Sequence, residues 1–600
     1  MCAISGCLGK NESLVARMNA ASKQRGPDST HVWSDDGVTL GFNRLAIIDL
    51  SDAAMQPMQD ATGRYRIVFN GEIYNYKELK RELAGYPFKT ESDTEVILAA
   101  FARWGMTAFE RLNGMFDLAL WDAQEKTLIL ARDPSGIKPL YYYSLGSALY
   151  FASDMRSLLE APIDRMINKT ALAHYLRLMY VPKGMSMIEG VQKLLPGHTL
   201  VARGGAITVQ PFATWPAADV PVTYAEGVHA VQASVTAAIT RQLVSDRPVG
   251  LYLSGGIDSS IIAAVAAKAH PKINSYSVGF DLNDGEDTEK FNADVDLARQ
   301  TAAFFGTTHH EYRITATEAL GLLDEAVAHM SDPVGNATAL AQVYLAKRCK
   351  ETATVVLTGD GGDELFGGYE RYRLAHLADR YARYIPKGFE SLLPKVVRRG
   401  LLKGVERYAQ LMFQNSAGIL PEFKDLPIYE TKALFANEFA HAGDIADQLM
   451  RTDEHNWLVD EALLRADGMS MAGSVEARVP FLDAEVISLA HVLPREWKVT
   501  TGATKRILKD AFKMQLPGFV LAQPKRGWFS PGAKWLRRPE FIARADEVFR
   551  PDFTECAALF DMQHVRQLWD LHKSKKAYHY TELWAVLTFL LWAREYKVRI

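Results

Sequence analysis

Residues 249–260, with the sequence VGLYLSGGIDSS, constrain the fold of this 600-residue chain more than any other stretch. An apolar run of strand-forming residues, 249–253, leads into Gly255-Gly256, and a helical pattern follows over 261–269. A strand that turns through glycines into a helix presents free backbone N–H groups, and the positive end of the helix dipole, to an anion. The pattern therefore predicts a strand–turn–helix unit that binds phosphate.

The polar side chains of this segment extend the prediction. Ser254, Ser259 and Ser260 add hydroxyl donors. Asp258 alone would repel a phosphate, so we expect it to hold a Mg²⁺ ion that bridges to the phosphates. The alternative is an ordinary strand-to-helix turn with an Asp or Ser cap. Because no Lys follows the glycines, this is not a Walker loop; S-G-G-x-D-S instead resembles the PP-loop of the ATP pyrophosphatases, which split ATP between its α and β phosphates.

Downstream of this segment, strand and helix patterns alternate. The predicted strands are 273–280, 309–314 and 353–358, and the predicted helices are 294–305, 316–329 and 337–349. Such alternation favours a parallel sheet with helices on both faces.

The last of these strands runs into a second acidic, glycine-rich stretch, residues 358–369, TGDGGDELFGGY. Because the carboxyl ends of parallel strands line one crevice, we expect this stretch to lie beside residues 254–260. Asp363 would then share a Mg²⁺ ion with Asp258. A glycine-rich surface loop is the alternative.

The amino terminus carries a candidate nucleophile, Cys2. Removal of the initiator Met before this small residue would leave an α-amine, with a reference pKa near 8, beside the thiol as its base. A buried structural cysteine is the alternative.

Two further segments supply groups that suit a free amino acid as substrate. The amide of Asn70 and the backbone N–H of Gly71 suit an oxyanion hole. Arg44 is able to bind an α-carboxylate, and Glu72 and Asp93 an α-ammonium. The structural alternatives are a hairpin turn at Asn70-Gly71, a helix cap at Asp93 and a surface ion pair at Arg44.

Seven segments in order resemble the class II glutamine amidotransferase domain of the N-terminal-nucleophile type. They are MCAISG, RGPD, NRLAIID, FNGEIYN, ESDTE, LNGMF and ARDPSGIKPLY. The resemblance implies a sandwich of two antiparallel sheets between helices. It also implies that Cys2 attacks glutamine, that Asn70 and Gly71 stabilise the oxyanion, and that Arg44, Glu72 and Asp93 bind glutamine.

The PP-loop, the stretch 358–369, the segment SVEARVPFLD at 474–483 and a C-terminal Lys, behind such a domain, resemble the glutamine-hydrolysing asparagine synthetases. In that family, ATP converts a carboxylate to an acyl-adenylate, and ammonia from an internal tunnel displaces AMP. Lys505 matches the Lys that meets the leaving phosphates; a surface Lys is the alternative. Lys525, Arg526 and Gly527 are further candidates for phosphate contacts. The resemblance assigns ATP binding to Ser254, Gly255, Gly256, Asp258, Ser259, Ser260, Val278, Thr358 and Gly359, and a catalytic role to Asp360.

The predicted fold is thus an α+β N-terminal-nucleophile sandwich, followed by an α/β PP-loop domain with a parallel sheet and a largely helical C-terminal part. A Gly-, Ala- and Pro-rich stretch predicts a linker at 206–221, between a glutaminase domain at 2–205 and a synthetase domain at 222–600. We expect ATP and Mg²⁺ as cofactors.

The net charge, the apolar runs and the cysteine content of the chain limit the kinds of partner that we expect. A net charge of −3 gives no basic excess for nucleic acid. The longest apolar run near the C-terminus, 583–593, is about half a membrane span. Four scattered cysteines favour a reducing cytoplasm. We expect small-molecule substrates, no nucleic acid, no membrane and, from the family, a homodimer.

The sequence leaves open which carboxylic acid accepts the ammonia. Aspartate is the expected acceptor, but residues 331–338, SDPVGNAT, depart from the expected aspartate-type sequence. Another carboxylic acid, on a glycan or a natural product, is the main alternative. A β-lactam-forming relative and a non-catalytic binding protein are the others, and the intact Cys2, Asp258 and Asp363 argue against the last.

Overall fold

The computed structural model describes residues 2–213, 215–282, 288–382, 402–414, 419–420, 428–440, 443–524 and 527–600. The strands are β1 (Ala3–Leu8), β2 (Ser29–Ser34), β3 (Val38–Arg44), β4 (Met58–Gln59), β5 (Tyr65–Ile73), β6 (Gly114–Asp122), β7 (Thr127–Arg132), β8 (Tyr141–Leu145), β9 (Ala148–Ala152), β10 (Val191–Lys193), β11 (His198–Arg203), β12 (Ala206–Pro211), β13 (Val249–Tyr252), β14 (Asn274–Phe280), β15 (Thr308–Ile314), β16 (Val355–Leu357) and β17 (Glu476–Arg478).

Helices follow or flank most of these strands. They are Glu12–Ala21, Tyr76–Glu82, Asp93–Trp104, Met155–Leu158, Lys169–Leu178, Tyr224–Gln242, Ile257–Ala269, Thr288–Phe305, Ala316–Gly321, Leu323–Ala328, Thr338–Cys349, Gly362–Phe366, Glu370–Ala382, Gly404–Met412, Ile428–Ala433, Ala436–Ala440, Ile445–Thr452, Leu464–Ala472, Ala484–Val492, Arg495–Lys498, Arg506–Phe512, Gly518–Leu521, Gly532–Trp535, Pro539–Val548, Met562–Lys573 and Tyr580–Glu595.

Two antiparallel six-stranded sheets form the N-terminal part. Their orders are β10-β8-β9-β1-β3-β2 and β12-β11-β7-β6-β5-β4. Between them lies an apolar layer that includes Leu40, Phe42, Val68 and Leu130, all buried. Alternate residues of each strand point into this layer, and the opposite faces are covered by helices such as Glu12–Ala21. The predicted sandwich is confirmed.

The apolar run at 65–69 predicts a strand that ends just before Asn70. In the structure β5 is longer, and its pairing with β6 continues through Asn70 and Gly71 to Ile73. A Cβ at Gly71 would lie 2.0 Å from the carbonyl oxygen of Met115, so only glycine permits this close pairing. The alternative of a hairpin turn at this point is therefore excluded.

Residues 206–211, assigned above to the linker, form strand β12 in the N-terminal sheet. Gly204 and Gly205, both at positive φ, turn the chain back so that β12 pairs with β11. The Gly-rich composition that indicated a linker thus marks a hairpin turn at this place.

The second part contains the predicted parallel sheet, in the order β15-β14-β13-β16-β17. The chain moves outward from β13 in one direction to β14 and β15, and in the other to β16 and β17. The crevice between β13 and β16 is therefore a topological switch point, where ligands bind in open α/β sheets. One helix prediction is wrong in detail, because the predicted helix 316–329 is divided at Leu322.

The C-terminal part is largely helical, as expected. Between Ile445–Thr452 and Leu464–Ala472 the chain stays helical, with π-type hydrogen bonding over Asp453–Leu463. The terminal helix Tyr580–Glu595 is buried along its centre and packs on Lys169–Leu178 of the N-terminal part. Within the described ranges, every helix is too short or too polar to cross a bilayer.

Candidate functional site

Cys2 immediately precedes the first residue of β1 and lies beside the middle of β5. The backbone N–H of Cys2 donates to Asn70 Oδ1 at 2.9 Å, and its Sγ lies 3.8 Å from the carbonyl oxygen of Leu45. The side chain is half-buried, and burial raises the pKa of the Cys2 thiol to about 11. The thiol is therefore protonated at neutral pH, and nucleophilic attack needs a base next to it.

The predicted oxyanion donors lie in this same place. Asn70 and Gly71 are consecutive residues of β5, and Asn70 is fully buried. Because Asn70 Oδ1 accepts from the Cys2 N–H, its Nδ2 points away from that contact, and one of its hydrogens bonds Asp117 Oδ2 at 2.7 Å. The second Nδ2 hydrogen of Asn70 is the one that is able to donate to a ligand.

The three predicted glutamine-binding residues surround this centre. Arg44 is buried and donates to the carbonyl oxygens of Asp49 and Ser51, at 2.5 and 2.8 Å, so it is not a surface ion pair. Asp93 begins the helix Asp93–Trp104 and accepts from the backbone N–H of Ile73 at 2.9 Å. Burial raises the pKa of Asp93 to about 6.

Glu72 contacts the second part of the chain. Its Oε2 lies 3.4 Å from Arg478 Nη2, and both side chains are almost fully buried. Burial raises the pKa of Glu72, and the neighbouring Glu476 adds to this effect while Arg478 opposes it. A predicted glutamine-binding residue of the N-terminal part therefore forms an ion pair with an arginine of the second part.

At the switch point of the parallel sheet lies a cavity of about 270 Å³. Of the predicted ATP-binding residues, Ser254, Gly255, Gly256, Asp258, Ser259, Val278, Thr358 and Gly359 line it. Ser260 does not line it: it is fully buried, because the helix begins earlier than predicted, at Ile257, and turns this residue into the core. Gly359 packs against the PP-loop, since a Cβ there would lie 2.8 Å from the Cβ of Asp258.

Lys505 joins two acidic residues that line the cavity, Asp258 and Asp363. Its Nζ forms ion pairs with Asp258 Oδ2 and, at 2.6 Å, with Asp363 Oδ1. The Lys505 side chain is buried, so it is not a surface lysine. Burial lowers the pKa of this ammonium, but the two carboxylates outweigh it and the net shift is upward.

Asp360 also faces the cavity and accepts from Thr358 Oγ1 at 2.5 Å. Burial raises the pKa of its carboxyl group. Of the remaining candidates, Lys525 and Arg526 lie outside the described residues. The described residues hold no group of three or more His, Cys, Asp or Glu arranged for a metal ion.

The two carboxylates of Asp258 and Asp363 nevertheless suit Mg²⁺. They converge on one cationic atom, Lys505 Nζ, so both are within reach of a single cation. In nucleotide sites Mg²⁺ takes one or two carboxylates, with phosphate oxygens and waters as the other ligands. The donor set fits that requirement.

The sequence reasoning missed the ion pairs between the two domains. Arg25 Nη1 lies 2.7 Å from Asp467 Oδ2, and Arg25 Nε lies 3.4 Å from the carbonyl oxygen of Cys2. Asp467 belongs to the helix Leu464–Ala472, whose Ala466 and Ser470 line the cavity. Arg25 is part of the RGPD segment and Arg478 of SVEARVPFLD, but nothing in either segment identifies its partner.

Comparison with known proteins agrees with this architecture. The family model described as asparagine synthase matches residues 230–594, and the one described as glutamine amidotransferase domain matches residues 1–213. The glutamine-hydrolysing asparagine synthetase 1 of Bacillus subtilis is 35% identical and aligns over 99% of this chain and 96% of its own. A putative asparagine synthetase of Mycobacterium bovis is 34% identical, over 97% and 93%. Asparagine synthetase 3 of Bacillus subtilis is 31% identical, over 91% and 89%.

The fold and these matches define a glutamine-hydrolysing ligase, in which an amidotransferase domain precedes a domain of the kind that consumes ATP. The chain belongs to the asparagine synthase family. The expected family and enzyme class are thereby confirmed. The residue assignments, the domain limits and the acceptor stay predictions.

Proposed function

We propose that this enzyme converts aspartate to asparagine, with ATP to activate the side-chain carboxylate and glutamine as the source of ammonia. The observation that carries the proposal is the cavity at the switch point, where the PP-loop, Asp363 and Lys505 meet. The cross-domain pairs Arg25–Asp467 and Glu72–Arg478 support a coupled two-site enzyme.

In the glutaminase half, the α-amine of processed Cys2 takes the thiol proton, and Sγ attacks the side-chain carbonyl carbon of glutamine. The backbone N–H of Gly71 and the free hydrogen of Asn70 Nδ2 stabilise the resulting oxyanion. Ammonia leaves with the proton that the amine held, and water hydrolyses the thioester to glutamate. Arg44 binds the α-carboxylate of glutamine, and Glu72 and Asp93 bind its α-ammonium.

In the synthetase half, the N–H groups and hydroxyls of residues 254–259 bind the phosphates of ATP. Asp258 and Asp363 hold Mg²⁺, which neutralises phosphate charge when bound. The aspartate carboxylate attacks the α-phosphorus, and the bond to the β-phosphate breaks. Lys505 is placed to exchange its carboxylate partners for the leaving pyrophosphate, whose added negative charge it stabilises. Ammonia then attacks the acyl carbon, and AMP leaves.

A second candidate is the same chemistry on a different carboxylic acid. The segment 331–338 supports it, because the Asp332 carboxylate is committed to the N-terminal domain: it accepts from the N–H of Met187 at 2.7 Å and from Tyr141 Oη at 3.2 Å. Asn336 donates to Glu461 at 2.8 Å. The acceptor contacts therefore have to come from other side chains.

The test of the acceptor is ATP–[³²P]pyrophosphate exchange with a panel of carboxylic acids and no nitrogen donor. We expect exchange with aspartate. If aspartate gives none and another acid does, the assignment to aspartate fails while the ligase reaction stands.

The test of the two-site scheme is the Cys2→Ala variant. It removes the nucleophile, so we expect loss of glutaminase activity and of glutamine-dependent synthesis, with ammonia-dependent synthesis kept. Amide formation is measured with each nitrogen source. Loss of both activities would contradict a role of Cys2 confined to the glutaminase step.

A further inference from the structure

Asp117, on strand β6, is a buried carboxylate next to the glutaminase centre that the proposed reaction does not use. It lies opposite Asn70 in the β5–β6 register, and its side chain is fully buried. Its Oδ2 accepts from Asn70 Nδ2 at 2.7 Å, and its Oδ1 from Ser153 Oγ at 3.1 Å. Ser153 Oγ in turn accepts from the backbone N–H of Ile4 at 3.0 Å. Asp117 thus connects β5, which carries Asn70, to β1, which follows Cys2.

These contacts determine which way the Asn70 amide faces. Asn70 Oδ1 accepts from the Cys2 N–H, while Nδ2 donates to Asp117. A flip of the amide would place its oxygen against the carboxylate of Asp117. That contact between two acceptors would be repulsive in a buried site, so the carboxylate opposes the flip.

We propose that Asp117 is a positioning residue of the glutaminase site, which fixes the Asn70 amide so that its second Nδ2 hydrogen faces the oxyanion of the reacting amide. The inference rests on the proposed roles of Cys2 and Asn70. Asp117 itself does not touch the substrate; it acts through Asn70.

The charge on Asp117 depends on its surroundings. Burial raises the pKa of Asp117 to about 7, against the opposing effects of Asn70, Arg25 and Ser153. Asp467, across the domain boundary, adds to the upward shift. As the pH falls through 7, the carboxyl group takes up a proton and accepts more weakly from Asn70. Glutaminase activity should therefore increase as the pH rises through this range.

The test compares three variants in the full-length enzyme. Asp117→Ala removes the restraint on Asn70, and we expect kcat for glutamine hydrolysis to fall by about 10–100-fold, as for the loss of other outer-shell partners, with little change in KM. Asp117→Asn keeps an acceptor oxygen for Asn70 but does not ionise, so we expect a small loss of kcat and loss of the ionisation near pH 7 from the pH profile, with the ionisation of the Cys2 α-amine near pH 8 kept. Asp122→Asn is the matched control, because Asp122 lies on the same strand and pairs with Arg64 instead.

The outcomes separate this inference from the proposed function. If the wild type does not hydrolyse glutamine, or Cys2→Ala hydrolyses it as fast, the proposed function fails and the inference with it. If both behave as expected but Asp117→Ala keeps the wild-type kcat, the inference alone is overturned. If Asp117→Ala fails to fold, the pH profile of Asp117→Asn decides: a profile between pH 6 and pH 8 with the same shape as that of the wild type contradicts the proposal.

Discussion

Among single residues, Asp93 shows that the glutaminase site contains ionisable side chains that are buried. It is about 5% exposed, and its neighbour Glu72 is equally buried. These two carboxylates, which we propose bind an ammonium group, cost the free enzyme stability, because burial disfavours their charged forms. Binding of the amino acid would offset that cost, because its ammonium group would stabilise the charged carboxylates.

This cost should be measurable as a pH dependence of the free energy of unfolding of the free enzyme. The pKa of Asp93 is raised from 3.8 to about 6, so the folded state binds the proton more tightly than the unfolded state. The contribution of Asp93 to the free energy of unfolding is therefore largest below pH 4 and falls as the pH rises to about 6, by up to about 3 kcal/mol.

Asp93→Asn removes this titration, so we expect the variant to gain stability relative to the wild type between pH 4 and pH 6. Urea unfolding at a series of pH values measures the difference. Asp52→Asn, at an exposed site of the same domain, is the control. A difference between wild type and Asp93→Asn that is the same at every pH would contradict the assignment.

At the scale of elements, glycines let the two loops of the synthetase cavity approach each other. A Cβ at Gly362 would lie 2.7 Å from Asp258 Oδ1. At Gly368 it would lie 1.8 Å from Asp363 Oδ1 and 2.3 Å from Lys505 Cε. Gly362 and Gly368 therefore serve the placement of Asp258, Asp363 and Lys505 rather than loop flexibility.

Gly368→Ala should displace the Asp363–Lys505 ion pair and reduce pyrophosphate exchange by at least about 100-fold, a loss typical of one misplaced electrostatic contact. Glutamine hydrolysis, measured in the same preparation, should persist. The control is Gly502→Ala, three residues before Lys505, where an added Cβ meets open space. Equal exchange in the two variants would show that the close packing at Gly368 is not required.

At the scale of the whole molecule, buried ion pairs and a shared apolar core join the two domains. Met115 and Ile137 of the N-terminal part pack in one cluster with Leu458 and Ala462 of the helical part. Asp467 lies between Arg25 and Lys138, at 2.7 and 3.5 Å. Burial would raise the pKa of Asp467, but these two cations lower it. Arg25 thus links the backbone of Cys2 to a helix that lines the cavity.

Asp467→Asn removes the carboxylate charge that lies between the buried Arg25 and Lys138, so we expect about 10-fold slower glutamine hydrolysis, since small displacements at a reacting centre are costly. We also expect more glutamate released per AMP formed. Asp460→Asn is the matched control: it breaks the Lys193–Asp460 pair, which is buried, crosses the same boundary and does not contact Cys2. If both variants slow hydrolysis equally, the effect belongs to interface stability and not to Arg25.

Much of this organisation is readable from sequence because it depends on local rules. The period-two and helical patterns, and the glycine turn at Gly255-Gly256, predict the strands and helices around the parallel sheet. Since parallel strands end at one edge of a sheet, the sequence also predicts residues 358–369 beside the PP-loop. Strand and helix limits were less accurate: Asn70 lies inside β5, and Ser260 lies in the core.

The sequence by itself determined the two-domain architecture, the family and the candidate residues Cys2, Asp258 and Asp363, because these depend on short segments whose chemistry is local. The tertiary structure alone decided that Lys505 neutralises both acidic groups, that Asp117 holds Asn70, and that Asp467 reaches Arg25. These partners are 47 to 442 residues apart in the chain. Spacing in the sequence carries no information about such contacts, because only the packing of sheets and helices brings the side chains together and excludes water from between them.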